Sequence, residues 1–448
     1  MPEDMTVMIV DGGARGHVIS ELYENDPRVK RIVVAPGNDG IGYKRKKDVI
    51  IAKDSSLKDP NSLLAVARKY SADLVDVAQD DALALGTVDL LRANDFLAFG
   101  ATKDASQIEW DKGWSRDFMK RHDIPSPHFE IYDIDSMPNA KGRSIEYVRS
   151  RYAEGPNTIL YVKAAGLCAG KGALRCTNLQ EALLNIDAMQ SFGTSGRRFV
   201  IEDGMTGEEF SYVVISDGLV YRGFMPGQDN KLSENFDRGD QTGGMGANAP
   251  ALVAMPMIPD IRREIITPAI SGMNEEGRPF AGILYLGGME VHGKPSVVEF
   301  NARPPDPETQ VMLPGVENYP ELVLAATCRR LNEITPKIDQ KFRWCVVGAS
   351  RGYPNNYSQA KGKRIYGLDE AAELDGVKIY SAGIEVRDGK HYASGGRLFS
   401  VVGEGNNPLE ARQRSYEGMS YISIEGNNLH FRTDIGWRDI ERFLKKPA

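Results

Sequence analysis

Only four cysteines occur in this 448-residue chain, Cys168, Cys176, Cys328 and Cys345, and none is spaced as Cys-x-x-Cys. With six histidines also thinly scattered, neither a zinc-ligand pattern nor a disulfide framework is present, and a reducing compartment is the expected setting. No apolar run approaches the roughly 18 residues of a membrane span. The start, Met1 to Val7, carries no basic stretch ahead of its apolar residues, so no export signal is expected and the location expected is cytoplasmic. Positive charge is not in excess either. A net charge of −7 argues against a nucleic-acid partner, which needs a basic surface to neutralise phosphates. What remains, 41% hydrophobic and 26% charged residues, is the stock of a globular protein long enough for about three domains.

Short apolar strands alternate with helical segments from Thr6 to about Lys103: strands at Val7–Val10, Arg31–Ala35, Leu74–Ala78 and Phe96–Gly100, helices near His17–Glu24, Asn61–Tyr70 and Ala82–Ala93. That alternation predicts an α/β domain, residues 1–103, with a doubly wound parallel sheet. Ligands of such sheets bind at the carboxyl ends of the strands. Two Gly-rich turns lie there, Asp11 to His17 and Ala35 to Gly40. Glycine can serve in the first only to make the turn, or its backbone amides at a helix start can hold a phosphate beside Arg15. Residues 104–336 mix helices and strands, with a smaller module expected at about 125–195 after the linker Ile124 to Pro127. Residues 341–448, opening on the apolar strand Trp344 to Gly348, predict a further α+β domain.

Two stretches carry chemistry. In Val297 to Gln310, Glu299 and Asn301 stand two apart on a strand and so share a face, offering a carboxylate and an amide oxygen to a hard cation such as Mg²⁺. Arg303, Asp306 and Glu308 follow directly. A solvated hairpin face joined to a Pro-rich loop would look the same. In Lys163 to Gly172, a strand ends on lysine, a glycine-containing loop follows, and Lys171 sits between Gly170 and Gly172. Such backbone can approach phosphate oxygens. No Ser or Thr follows Lys171, so a nucleotide's metal would have to be held elsewhere. Glu299 and Asn301 would meet that need. A third Gly-rich stretch, Gln241 to Pro250, suits a lid or substrate wall.

Together these stretches resemble the ATP-grasp ligases, and within them the phosphoribosylamine–glycine ligase family, across essentially the whole chain. The matched segments are Lys163 to Gly172, Thr242 to Gly246, Glu299 to Gln310, Ala35 to Asn38 and Asp434 to Trp437. The resemblance implies central ATP-grasp α+β domains and ATP-dependent joining of glycine to 5-phosphoribosylamine through a glycyl phosphate, in purine synthesis. It implies that Lys112, Lys163, Gly170, Lys171, Gly172 and Glu202 bind ATP and that Glu299 and Asn301 hold Mg²⁺ or Mn²⁺. Arg303 and Asp306 would be catalytic. Gly13, Arg15, Asn38, Asp306 and Glu308 would bind the other substrates. A monomer or small homo-oligomer is expected. Glu290 is expected to be a solvated hairpin carboxylate, and Cys168 a filler where the family has alanine. The chain departs from the family pattern at Gly16, where glutamate is usual, at Gln79-Asp80 (Pro-Glu), at Ala101 (proline) and at Pro304-Pro305 (Phe-Gly). Another ATP-grasp carboxylate–amine ligase, a purine carboxylating enzyme and a nucleotide-binding module without turnover are the competing readings.

Overall fold

The fold is described by a computed structural model covering residues 3–168 and 172–445. Strands β1 (Met5–Asp11), β2 (Val29–Pro36), β3 (Asp48–Ile51), β4 (Leu74–Val77) and β5 (Leu97–Phe99) form a parallel sheet in the order β3-β2-β1-β4-β5. The unbroken apolar run of β1 reflects burial on both faces. Met8 and Val10 join the core beneath Leu63, Leu64 and Ala67, while Val7 and Ile9 join the opposite core with Ala14, Val18 and Ile19 of helix α1 (Ala14–Glu24). The order reverses between β1 and β4, so their carboxyl ends open a crevice. The predicted helix at 82–93 is two, Asp80–Ala84 and Thr87–Arg92, parted at Gly86, whose φ of 80° suits glycine.

A four-stranded antiparallel sheet follows, in the order β6 (Phe129–Asp133), β9 (Arg198–Asp203), β7 (Leu160–Ala164), β8 (Ala173–Cys176). The smaller module therefore runs to Asp203 rather than 195, since β9 lies in the middle of its sheet. The module has its own apolar core around Val148, Val162 and Ile201. Strands β10 (Glu208–Asp217) and β11 (Tyr221–Gly223) sheet with Ala281–Val291 and Lys294–Asn301. The segment Gly246–Ala249 pairs with Phe342–Ser350, so the last sheet draws on the middle of the chain as well as its end. Among the described residues, no helix is long and apolar enough to cross a membrane.

Candidate active site

One cleft gathers most of the residues singled out above. Lys112, Lys163, Gly172, Glu202, Glu299, Asn301, Arg303, Asp306 and Glu308 all line it. Gly170 and Lys171 lie outside the described residues. The cleft runs between the β6–β9 sheet and the strand Lys294–Asn301, and the loop after that strand closes its far side.

On the side of the β6–β9 sheet, the Asp111 carboxylate accepts from Trp114 N and starts the helix Lys112–Arg121. Lys112 N in turn donates to Ala165 O at 2.9 Å, tying the helix to the loop after β7. Glu202, on β9 and buried, pairs with both Lys163 and Arg116. Burial would raise its pKa, but Arg116 and Lys163 outweigh that and hold it below the usual carboxylate range. Arg116 also donates to Val298 O at 2.8 Å and Val297 O at 3.3 Å, so it links β9 to the strand bearing Glu299. Apolar walls from Ile108, Met119, Leu167, Val200 and Phe300 suit an aromatic ring. Cys168 packs against Gly172, whose Cβ would lie 2.8 Å from that of Cys168. Burial raises the Cys168 pKa, so the thiol stays protonated and fills space.

At the centre, Glu299 and Asn301 pair with Gly287 and Tyr285 and both face the cleft. Burial pushes the Glu299 pKa up, yet Lys231, Lys112, Lys163 and Arg303 together pull it below the usual value. An ionised carboxylate beside a buried amide is a hard-oxygen pair that fits Mg²⁺ or Mn²⁺. Among the described residues, no group of three or more His, Cys, Asp or Glu is arranged to hold a metal, so phosphate oxygens would have to complete the coordination. Glu290 stands apart at the hairpin tip, its carboxylate accepting from Gly293 N.

Beyond the metal pair, Arg303 Nε lies 3.1 Å from Glu109 Oε1, while Glu109 Oε2 accepts from Ala302 N at 2.7 Å. Burial, opposed by Arg303, pushes the Glu109 pKa up to about 7. Asp306 meets Arg397 at 3.2 Å and accepts from Gln310 Nε2 at 2.9 Å. Burial raises its pKa, and Arg397, Arg15 and Gln310 more than reverse this. Glu308 accepts from Ser211 Oγ at 2.7 Å. Beside it, burial and Glu308 raise the Asp229 pKa well above its ordinary value, and Asp229 Oδ1 has no hydrogen-bond partner. The N-terminal loops abut this end. A Cβ on Gly13 would lie 3.5 Å from Asp306 Oδ2, and Asn38 Nδ2 donates to Gly12 O at 3.1 Å. Arg15 and Asn38 are not among the cleft-lining residues.

Glu109, Arg116, Asp229, Lys231 and Arg397 were not singled out from the sequence. Lys231 lies within the charged stretch Asn230 to Asp240 and Asp229 directly before it; the others stand in no local pattern.

The cleft belongs to a chain with full-length relatives. It matches the phosphoribosylglycinamide synthetase N domain over residues 5–109, the ATP-grasp (A) domain over 110–309 and the C domain over 343–438. The phosphoribosylamine–glycine ligase of Vibrio vulnificus (strain CMCP6) is 36% identical over 448 residues, covering 99% of this chain and 100% of the relative. That of Brucella melitensis biotype 1 is 35% identical, covering 98% and 99%. A solved phosphoribosylamine–glycine ligase from Thermotoga maritima is similar with TM-score 0.77 at 25% identity, covering 96% of this chain and 100% of that one. The biotin carboxylase domain of Hydrogenobacter thermophilus 2-oxoglutarate carboxylase, at TM-score 0.68 and 13% identity over 96% of this chain and 92% of that one, shares the fold alone. The chain belongs to the phosphoribosylglycinamide synthetase family.

Proposed function

We propose that this chain joins glycine to 5-phosphoribosylamine with ATP, giving glycinamide ribonucleotide, ADP and phosphate for purine synthesis. The observation that carries the reading is the meeting, in one cleft, of the Lys112–Lys163–Glu202 group, the Glu299–Asn301 pair and the Arg303–Glu308 loop. The full-length relatives named above support it.

In this reading Lys112 and Lys163 neutralise ATP phosphate oxygens, with Gly170, Lys171 and Gly172 completing the phosphate loop. The apolar walls take the adenine, and Glu202 fixes Lys163 while bordering the nucleoside. Glu299 and Asn301 hold Mg²⁺ or Mn²⁺, which supplies charge stabilisation to the β- and γ-phosphates. Arg303 orients the glycine carboxylate, and Asp306 and Glu308 receive its ammonium. One carboxylate oxygen attacks the γ-phosphorus, ADP leaves, and glycyl phosphate results. The amine of phosphoribosylamine, held on the side of Gly13 and Asn38 with Arg15 behind them, attacks the acyl carbon. Inorganic phosphate leaves, and the nitrogen gives up its proton. No protein nucleophile takes part, so rate comes from positioning and charge. The setting is cytoplasmic and the assembly a monomer or small homo-oligomer.

ADP release measured with each substrate omitted in turn tests the reading. Release should require ATP, Mg²⁺, glycine and phosphoribosylamine together. Equal release with bicarbonate in place of glycine, or with no amine acceptor, would sink it.

A further inference from the structure

The Arg15 guanidinium is bonded within the protein itself. Its buried guanidinium gives Nε and Nη2 to Asp11 Oδ2 at 2.8 and 2.6 Å, Nη2 also to Gln79 Oε1 at 2.8 Å, and Nη1 to Pro304 O at 2.7 Å. A guanidinium has five N–H donors, so these four contacts leave little for a ligand, and Asp11 already answers the charge. The start of α1 is filled as well. Asp11 Oδ1 accepts from Gly13 N at 2.6 Å and Gly16 N at 3.1 Å, taking the place an outside anion would occupy at a helix N-terminus. Gly16 has no room for a side chain, since a Cβ there would come 2.9 Å from Asp11 Cβ and Oδ1.

The partners come from three places. Asp11 ends β1, Gln79 follows β4, and Pro304 lies in the loop that carries Arg303, Asp306 and Glu308. Asp11 and Gln79 flank the crevice where the sheet order reverses, so Arg15 bridges it and reaches the loop 289 residues on. Gly16, Gln79 and Pro304, three of the positions at which the chain departs from the family pattern, meet around this one side chain.

We propose that Asp11, Arg15 and Gln79 form a brace that positions the Arg303–Glu308 loop, with Arg15 a positioning residue for the glycine side of the site rather than a ligand of the acceptor's phosphate. The N-terminal sheet thereby sets the affinity for glycine as well as for the amine. The assignment of that loop to glycine rests on the function proposed above.

Steady-state kinetics on the full chain, varying glycine, phosphoribosylamine and ATP separately, test the brace in Arg15→Gln and Gln79→Met. Loss of the single Gln79 contact, or of the guanidinium with its four contacts, should raise the glycine KM at least about three- to tenfold, with the ATP KM within about twofold of the parent. An Arg15→Gln variant whose phosphoribosylamine KM alone rises overturns the proposal. Should Arg15→Gln fail to fold, Gln79→Met decides, because it keeps the buried Asp11–Arg15 pair. An unchanged glycine KM in Gln79→Met refutes the brace. Hydrogen exchange of residues 302–310 gives a reading independent of turnover. Faster exchange there in Gln79→Met is expected, and unchanged protection counts against the brace. A parent chain that turned over no glycine would remove the functional reading while leaving the exchange result to judge the brace.

Discussion

At the residue scale, single atoms decide outcomes that residue type does not. Gly16 has ordinary backbone angles, so Gly16→Ala acts through its collision with Asp11 and should cost about 1–3 kcal/mol, read by chemical denaturation. On the function proposed above, Glu299→Gln keeps shape but weakens a metal ligand, so turnover should fall by about 100-fold or more while cooperative melting is retained. Asp76 provides a pH test away from the cleft. It is buried between Tyr23 OH at 3.0 Å and Tyr319 OH at 3.2 Å, and burial, opposed by both hydroxyls, raises its pKa to about 7. A carboxyl that binds its proton more tightly when folded stabilises the fold at low pH. That contribution is lost as pH rises from the ordinary aspartate range through about 7. Stability should therefore fall by about 4 kcal/mol between pH 3 and pH 8, about 3 kcal/mol of it above pH 5, and Asp76→Asn should flatten that slope in melting curves taken across the range.

At the scale of elements, the β6–β9 sheet and the strand Lys294–Asn301 are joined by one side chain. Arg116 holds Glu202 of β9 and the carbonyls of Val297 and Val298 together, so β9 and the strand bearing Glu299 share a latch. Arg116→Met removes one partner of a buried pair and should cost about 3–5 kcal/mol. It should also raise the ATP KM and speed hydrogen exchange within residues 129–203; an unchanged ATP KM would show that the latch has no part in nucleotide binding. The strand bearing Glu299 and Asn301 was legible in the sequence because both side chains lie on one element, two residues apart. Glu109 was not, since the amide it holds, Ala302, lies 193 positions away. Arg116 meets Glu202 86 positions away, and nothing local marks such a pairing.

For the whole molecule, the apolar cores set what moves together. One core runs from Met8 and Val10 of β1 through Phe210 and Val214 of β10 to Phe300. Another runs from Ile9 through Val213 and Ile283 to Cys345 and Tyr380. The β6–β9 module keeps a core of its own, and the last sheet, one face of which joins the second core, packs its other face in a fourth around Trp344, Val346 and Phe399. Calorimetry should therefore show the N-terminal, central and last sheets melting together, and hydrogen exchange should show residues 129–203 opening at lower free energy. The sequence by itself determined the strand–helix alternation of the first domain, the shared face of Glu299 and Asn301 and the family, because each rests on short periods and neighbouring residues. It could not place β9 inside the sheet of the smaller module, nor carry Gly246–Ala249 into the last sheet, since strand partners are chosen by the packing of distant segments. The charge of Arg15 was visible in the sequence, but its direction was not. Only the tertiary structure turned that guanidinium inward, where acceptors on Asp11, Gln79 and Pro304 converge from three parts of the chain.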